Sequence, residues 1–211
     1  MSYFNLPVIS VTGDYLDHIE LPDNKSAVFL GDVSGHGLGT GYLVNAMRSI
    51  VRSHLAAGSN LVETVNTLNS FLLDRYEGNE FFTLFALVLD REKGEMEYLN
   101  AAHPGPLIRS PQEDQILKLE DTQRLLGVLP SPYRTSYYSL KPGQRLFLCS
   151  DGVLETIEEV DLIEREKTLL QRLGGSLEKP GDLIRRLDLG EVTSDDLADD
   201  IAGLFVSRGV G

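Results

Sequence analysis

The chain has 211 residues, of which 42% are hydrophobic and 24% charged, and it carries a net charge of −13. These values are typical of one globular domain, and the excess of acidic residues argues against binding to nucleic acid or an anionic membrane. No run of about 18 apolar residues predicts a membrane span. The single cysteine, Cys149, excludes an intramolecular disulfide and a four-cysteine zinc site. We expect a buried thiol there and a cytoplasmic location.

The first half of the chain predicts two strands and two helices. Short apolar segments at 7–12 and 27–30 indicate strands. After the glycine-rich stretch 35–41, apolar residues three and four positions apart predict a helix that stops near Gly58. Asn60 is the expected N-cap of a second helix. The apolar positions that define the two helices are Leu43, Met47, Ile50, Val51, Leu61, Val65, Leu68 and Leu72.

The second half is predicted to consist mainly of strands. The short strand-like segments, many separated by turn-forming residues, are 81–89, 95–101, 106–109, 115–119, 136–140 and 145–150. Helical patterns return at 160–173 and 180–187, and a final apolar strand is predicted at 201–206. Helical pairs on either side of a block of strands indicate an α+β fold, in which helices cover antiparallel sheets. We expect a single domain over residues 1–211.

Aspartates stand at the ends or starts of apolar segments in four places: Asp14, Asp32, Asp151 and the pair Asp199-Asp200. Any one of them is also compatible with a simple turn, because aspartate beside glycine favours turns. If the sheets bring these carboxylates together, they repel one another unless cations neutralise them. A cluster of oxygen ligands alone suits Mg²⁺ or Mn²⁺ better than zinc.

The segments that contain these aspartates resemble a known family. They are Thr-Gly-Asp-Tyr-Leu-Asp at 12–17, Gly-Asp-Val-Ser-Gly-His-Gly at 31–37, Asn-Ala-Ala-His-Pro-Gly-Pro at 100–106, Ser-Asp-Gly-Val at 150–153 and Asp-Asp-Ile at 199–201. In this order they resemble the stage II sporulation protein E (SpoIIE) type of serine phosphatase domain, within the PPM or type 2C protein phosphatase family. The resemblance covers about residues 7–207, and the upstream sensory segment of relatives is not expected in this chain. Thr12 and Ala102 replace glycines of the family pattern.

The resemblance implies a four-layer αββα sandwich with two central, mainly antiparallel sheets. It also implies a two-metal site for Mn²⁺ or Mg²⁺ at the rim of the sheets. Its implied catalytic and metal-ligating residues are Asp14, Asp32, Asp151 and Asp199, together with the backbone carbonyl of Val33, and Asp200 is the alternative to Asp199. The implied reaction is hydrolysis of phosphoserine or phosphothreonine by a water that the two metals activate.

The implied substrate is a phosphorylated regulatory protein, an anti-sigma-factor antagonist of a bacterial partner-switching pathway. The resemblance also implies that the helices at 38–75 can form a homodimer interface. Because the first of them joins the loop that bears Asp32, their rotation is expected to control metal occupancy. The alternatives are a pseudophosphatase, which keeps the fold as a scaffold without turnover, and a phosphohydrolase of small molecules.

Other polar residues have more than one interpretation. His36 and His103 are interpreted as residues that orient loops rather than as acids or phosphate ligands. Asp17 is either a partner of the metal ligands or a turn cap. The candidates for phosphate contact are Arg48, Arg52 and Arg124. Pairing on the surface is the more ordinary role of such residues.

Overall fold

The computed structural model describes residues 2–6, 13–34, 38–76, 80–110, 116–155, 157, 161–172 and 201–207. The strands are β1 (Ser2–Leu6), β2 (Asp14–Leu21), β3 (Lys25–Val33), β4 (Phe82–Asp90), β5 (Glu95–Ala101), β6 (Leu107–Arg109), β7 (Ile116–Lys118), β8 (Ser136–Ser139), β9 (Arg145–Cys149) and β10 (Ile201–Ser207). The helices are α1 (Leu38–Ala56), α2 (Leu61–Tyr76), α3 (Asp151–Glu155) and α4 (Leu162–Arg172).

The strands of the described residues form two sheets of five. One has the order β2-β3-β4-β5-β8, and the other has the order β1-β10-β9-β6-β7. Every pairing between these strands is antiparallel. The first sheet is formed largely by consecutive strands, whereas the second joins both ends of the chain to its middle.

Two hydrophobic clusters lie on opposite faces of the first sheet. Along β3, Phe29 and Val33 belong to the cluster that α1 and α2 cover, while Val28 and Leu30 belong to the cluster between the two sheets. This follows from the strand geometry, in which successive side chains point to opposite faces. Both faces of the sheet are therefore buried, which explains why β3 reads as a continuous apolar run.

The helices α1 and α2 are bounded as the sequence predicts. α1 ends at Ala56, just before Gly58. At the start of α2, the Asn60 side chain accepts a hydrogen bond from the Glu63 backbone N–H (2.9 Å), and the Glu63 carboxylate accepts one from the Asn60 N–H (3.0 Å). This reciprocal pair is a capping box, which satisfies two donors that the helix start otherwise leaves unpaired.

On the far side of the second sheet, α3 contacts β10 and α4. The order of layers is helices, sheet, sheet, helices, and neither sheet closes into a barrel within the described residues. The predicted α+β fold with two antiparallel sheets is confirmed. None of the helices in the described ranges is long and apolar enough to cross a membrane.

Some elements of the structure were not predicted from the sequence, and some predicted elements fall on residues that the structure does not describe. The structure has a strand β2 at Asp14–Leu21 that the apolar pattern did not predict. The short helix α3 begins at Asp151, where only a turn was expected. The strand predicted at 7–12 and the helix predicted at 180–187 lie outside the described residues.

Candidate active site

Two of the predicted ligands, Asp14 and Asp32, lie directly opposite each other. Asp14 is the first residue of β2, and it pairs with Asp32 near the end of β3. Residues two positions apart on a strand share a face. Leu16 and Leu30, two positions from Asp14 and Asp32, pack with the cluster between the sheets, so both carboxylates lie on the face that the second sheet covers. Asp14 is only 5% exposed. Like charges that face each other across antiparallel strands destabilise the pair, so the arrangement favours a bound cation.

Gly13 leaves room beside this pair. A Cβ atom added at Gly13 would lie 3.0 Å from Oδ1 of Asp32 and 3.1 Å from the carbonyl oxygen of Val33. The backbone N–H of Val33 in turn donates to the carbonyl of Gly13 (3.2 Å). A carboxylate oxygen and a backbone carbonyl thus border the space that the missing side chain leaves. Oxygen donors of this kind are what Mg²⁺ and Mn²⁺ prefer, so these residues fit a hard divalent cation.

Asp151 comes to the same place from the second sheet. β9 ends at Cys149, and Asp151 begins α3 two residues later, where its Oδ1 accepts a hydrogen bond from the Gly152 N–H (3.1 Å). Asp32 and Asp151 line one cavity of about 650 Å³. The cavity wall therefore contains one carboxylate from β3 of the first sheet and one from the start of α3, which follows β9 of the second sheet. Cys149 is buried, as predicted.

A hydrogen-bonded turn forms another wall of the cavity. The backbone N–H of His103 donates to Oδ1 of Asn100 (2.9 Å), and Nδ1 of His103 lies 3.1 Å from the hydroxyl of Thr83. Thr83 is in turn the cross-strand partner of Asp32. Burial lowers the pKa of His103 to about 3, against the smaller opposing effect of a hydrogen bond to the backbone of Cys149. The imidazole is therefore neutral at ordinary pH, which agrees with a loop-orienting role.

Asp17 lies on the opposite face of β2, where its carboxylate contacts α1. The guanidinium of Arg52, on α1, binds its carboxylate through two contacts of 2.6 and 2.9 Å. Arg48 donates to the carbonyl of Leu16 (3.3 Å) and lies over the ring of Tyr15, 5.7 Å from its centroid. Asp17 therefore caps no turn, and the two arginines attach α1 to β2 rather than line the cavity.

Some of the predicted site residues lie outside the part of the chain that the structure describes. His36, Asp199 and Asp200 lie outside the described residues, although Asp200 immediately precedes β10 in sequence. The start of β10 adjoins the end of β9, because Gly203 pairs with Cys149 in antiparallel register. Within the described ranges, no three His, Cys, Asp or Glu side chains are close enough to form a metal-holding group. The four-aspartate ligand set stays a prediction.

Sequence reasoning did not single out Thr83 or Lys118 as parts of this site, and both line the cavity. Thr83 stands near the start of the strand-like segment 81–89, where it is a polar residue in an otherwise apolar run. Lys118 stands in a three-residue strand with no local motif, so its position becomes apparent only when β7 pairs with β6.

Comparison with known proteins identifies the family. The family model described as stage II sporulation protein E (SpoIIE) matches residues 22–209, which is most of the chain. The chain belongs to the SpoIIE family. The predicted family is thereby confirmed, and its relatives and structural neighbours include PPM-type serine/threonine phosphatases.

Individual relatives agree with this assignment. The chain is 23% identical to phosphoserine phosphatase RsbP of Bacillus subtilis over 159 residues, covering 73% of this chain and 39% of RsbP. Its fold matches the PP2C phosphatase domain of SpoIIE from Bacillus subtilis with a TM-score of 0.80 at 18% identity, covering 100% of this chain and 61% of that one. RsbX in complex with magnesium matches with a TM-score of 0.72 at 16% identity, covering 96% and 92%. The SpoIIE-family chain spans about two fifths or less of the curated relatives' length.

Proposed function

We propose that this SpoIIE-family domain is an active, metal-dependent protein phosphatase that hydrolyses phosphoserine or phosphothreonine. The observation that carries the proposal is the pairing of Asp14 with Asp32 beside a cavity whose wall also contains Asp151. Carboxylates placed together in this way hold divalent cations in phosphoryl-transfer sites. The cavity is large enough to accept a phosphorylated side chain with its neighbouring residues.

Two divalent cations, Mn²⁺ or Mg²⁺, are the proposed cofactors. The proposed ligands are Asp14, Asp32, the carbonyl of Val33, Asp151 and Asp199. The magnesium complex of RsbX supports a divalent cation in this fold. Such cations supply an activated water and offset negative charge on the phosphoryl oxygens.

The residues of this chain have separate tasks in the proposed site. Gly13 leaves a space bordered by Oδ1 of Asp32 and the carbonyl of Val33, two oxygens that would hold a cation there. Thr83 is hydrogen-bonded to His103 and pairs with Asp32 across β3 and β4. It thereby supports the strand that carries Asp32. No side chain is assigned as a covalent nucleophile, and His103 is neutral and occupied by its hydrogen bond to Thr83.

The last ligand is proposed to be Asp199, with Asp200 as the competitor. Both precede β10, whose start lies beside the strand that leads to Asp151. Asp199→Asn and Asp200→Asn separate the two candidates. We expect the first change to abolish metal-dependent turnover and the second to leave most of it. The reverse result would assign the ligand to Asp200.

The proposed substrate is a phosphorylated regulatory protein of a bacterial partner-switching pathway, an anti-sigma-factor antagonist. The phosphoserine phosphatase RsbP, to which the chain is similar, supports a phosphoserine substrate. We place the reaction in the cytoplasm, where such a substrate would be found. A homodimer through the helices at 38–75 is part of the proposal, and Tyr42 on α1 is 74% exposed there. Analytical ultracentrifugation of the wild type and Tyr42→Glu tests the dimer.

The experiment that tests the function is hydrolysis of a phosphoserine peptide by the whole chain, with Mn²⁺ and with a chelator. Metal-dependent release of phosphate is expected from the peptide and from p-nitrophenyl phosphate. A folded protein that binds Mn²⁺ but releases no phosphate from either compound would favour the alternative, a pseudophosphatase. High turnover of free phosphometabolites with none on the peptide would favour a small-molecule phosphohydrolase.

A further inference from the structure

The cavity beside Asp32 and Asp151 has an uneven distribution of charge. Among the described residues that line it, the acidic side chains are Asp32, Glu120 and Asp151, and the one basic side chain is Lys118. The whole chain carries a net charge of −13. A phosphorylated peptide is itself anionic, so it meets an unfavourable potential over most of this surface. A cation inside the cavity therefore has a disproportionate effect on substrate binding.

The fold holds Lys118 against the cavity wall. Lys118 is the last residue of β7 and pairs with Leu107 on β6. The next residue, Leu119, donates its N–H to the carbonyl of Pro106 (3.2 Å), which attaches this strand to the turn that follows His103. The attachment places the half-buried Lys118 beside the turn that forms one wall of the cavity, near Asp32 and Asp151 in the same lining.

Gly105 makes this close approach possible. A Cβ atom added at Gly105 would lie 2.4 Å from the carbonyl oxygen of Leu119 and 3.6 Å from Cε of Lys118. The first distance is too short for any side chain, so the two segments pack at this spacing because residue 105 is glycine. The second distance shows that the lysine stem lies alongside the turn. Lys118 therefore lines the cavity while its stem packs along this turn.

We propose that Lys118 is a substrate-binding residue whose ammonium group pairs with an anionic oxygen of the phosphorylated peptide. The inference rests on the proposed phosphatase function and adds a residue that determines substrate affinity. The anionic oxygen belongs either to the phosphoryl group or to an acidic side chain near the phosphoserine. Lysine acts as a compact point charge that suits both. Lys118 is a binding residue and takes no part in holding the metals.

The test compares Lys118→Gln with the wild type on three substrates. They are a phosphoserine peptide with acidic neighbours, the same peptide with neutral neighbours, and p-nitrophenyl phosphate. We expect Lys118→Gln to raise KM by about tenfold, the effect of losing one charge-assisted hydrogen bond, while kcat changes little. Lys118→Arg restores most of the affinity because it keeps the charge. The KM difference shrinks as salt is added. Lys141→Gln, an exposed lysine outside the cavity, is the matched control and leaves KM unchanged.

The pattern across substrates identifies the oxygen. An equal rise in KM on all three substrates assigns it to the phosphoryl group, and a rise restricted to the acidic peptide assigns it to a neighbouring carboxylate. Unchanged KM on all three would overturn the proposal. A second outcome would also overturn it. If kcat falls equally in Lys118→Gln and Lys118→Arg and the Mn²⁺ dependence shifts, Lys118 has a purely structural role.

A binding measurement separates this inference from the proposed function. If the wild type releases no phosphate, its affinity for the phosphorylated peptide is compared by fluorescence anisotropy with that for the unphosphorylated peptide. Weaker binding of the phosphopeptide by Lys118→Gln supports the inference even when the phosphatase proposal fails. Equal affinity in the wild type and the variant contradicts it in either case.

Discussion

Asp14 and Asp32 are direct cross-strand partners at the end of the β2–β3 pair, and both face the second sheet. Strand pairing alone gives no reason to place two carboxylates in this position, since like charges there repel. A divalent cation held by both carboxylates would offset this repulsion. The position of this pair beside the cavity that Asp151 also lines makes it the basis of the proposed metal site.

The first prediction concerns the stability of the metal-free protein. Asp14→Asn is expected to raise the free energy of unfolding of the metal-free chain by about 0.5–1 kcal/mol, because it removes the repulsion across the strands. The same change should remove the increase in Tm that Mn²⁺ produces in the wild type. Urea unfolding with a chelator and thermal melts with Mn²⁺ measure the two effects. A variant that is less stable without metal and still stabilised by Mn²⁺ would show that Asp14 is a structural residue.

The second prediction concerns the space at Gly13. In Gly13→Ala, the new methyl group would lie 3.0 Å from Oδ1 of Asp32 and 3.1 Å from the Val33 carbonyl, so both oxygens must shift. We expect Mn²⁺ affinity, measured by isothermal titration calorimetry, to fall by about tenfold or more, as for other changes that displace metal ligands. Circular dichroism should show an intact fold.

Gly39→Ala is the matched control for this experiment. Among the described residues, an added Cβ atom at Gly39 meets no atom within 4 Å, and Gly39 lies in α1. Alanine there should stabilise the helix by about 0.5–1 kcal/mol and leave Mn²⁺ affinity unchanged. Equal metal affinity in the two alanine variants would argue against a cation beside Gly13.

Part of the candidate site could be predicted from the sequence and part could not. Asp14, Asp32 and Asp151 stand beside glycines at the ends of apolar segments, and such local signals are readable without a structure. α1 and α2 were predicted because their apolar residues repeat with helical spacing and Asn60 forms the expected cap. These features depend on neighbours in the sequence.

The features that were missed depend on distant contacts. β2 includes Asp17, which is 5% exposed because Arg52, 35 positions further along the chain, binds it. A buried charge interrupts the apolar pattern by which strands are recognised. Lys118 and Thr83 enter the cavity only through sheet pairing, which no local pattern encodes.

The third prediction concerns the attachment of α1 to β2. Arg52→Ala is expected to destabilise the protein by about 1–3 kcal/mol, because it leaves the buried carboxylate of Asp17 without its main partner. In a double-mutant cycle with Asp17→Ala, the second change should cost little once the first is made. Urea unfolding gives the four free energies. Additive effects of the two substitutions would show that the pair does not act as a unit.

The fourth prediction is a pH dependence that comes from His103. Its pKa is about 3 in the folded chain, below the usual value of about 6.5 in an unfolded chain. The unfolded chain therefore binds more protons between these values, so stability falls as pH falls from about 6.5 toward 3, at up to about 1.4 kcal/mol per pH unit. Above about pH 6.5 this contribution is fully present.

His103→Asn removes that titration. Urea unfolding is measured at pH values from about 4 to about 7, roughly one unit apart. The free energy of unfolding should fall less steeply with decreasing pH in the variant than in the wild type, even if the variant is less stable throughout. His54→Asn, on α1 and outside the cavity, is the control. Parallel pH profiles for the wild type and His103→Asn would contradict the neutral, buried imidazole.

The most direct measurement is Mn²⁺-titrated release of phosphate from a phosphoserine peptide by the wild type, Asp32→Asn and Asp151→Asn. Asp74→Asn serves as the control, because Asp74 is exposed on α2 and does not line the cavity. Each asparagine keeps the shape of the side chain and removes the charge that holds the cation. We predict Mn²⁺-dependent turnover in the wild type and the control, with a loss of at least about a hundredfold in both site variants. Turnover in Asp32→Asn and Asp151→Asn equal to that of the wild type would contradict the two-metal account.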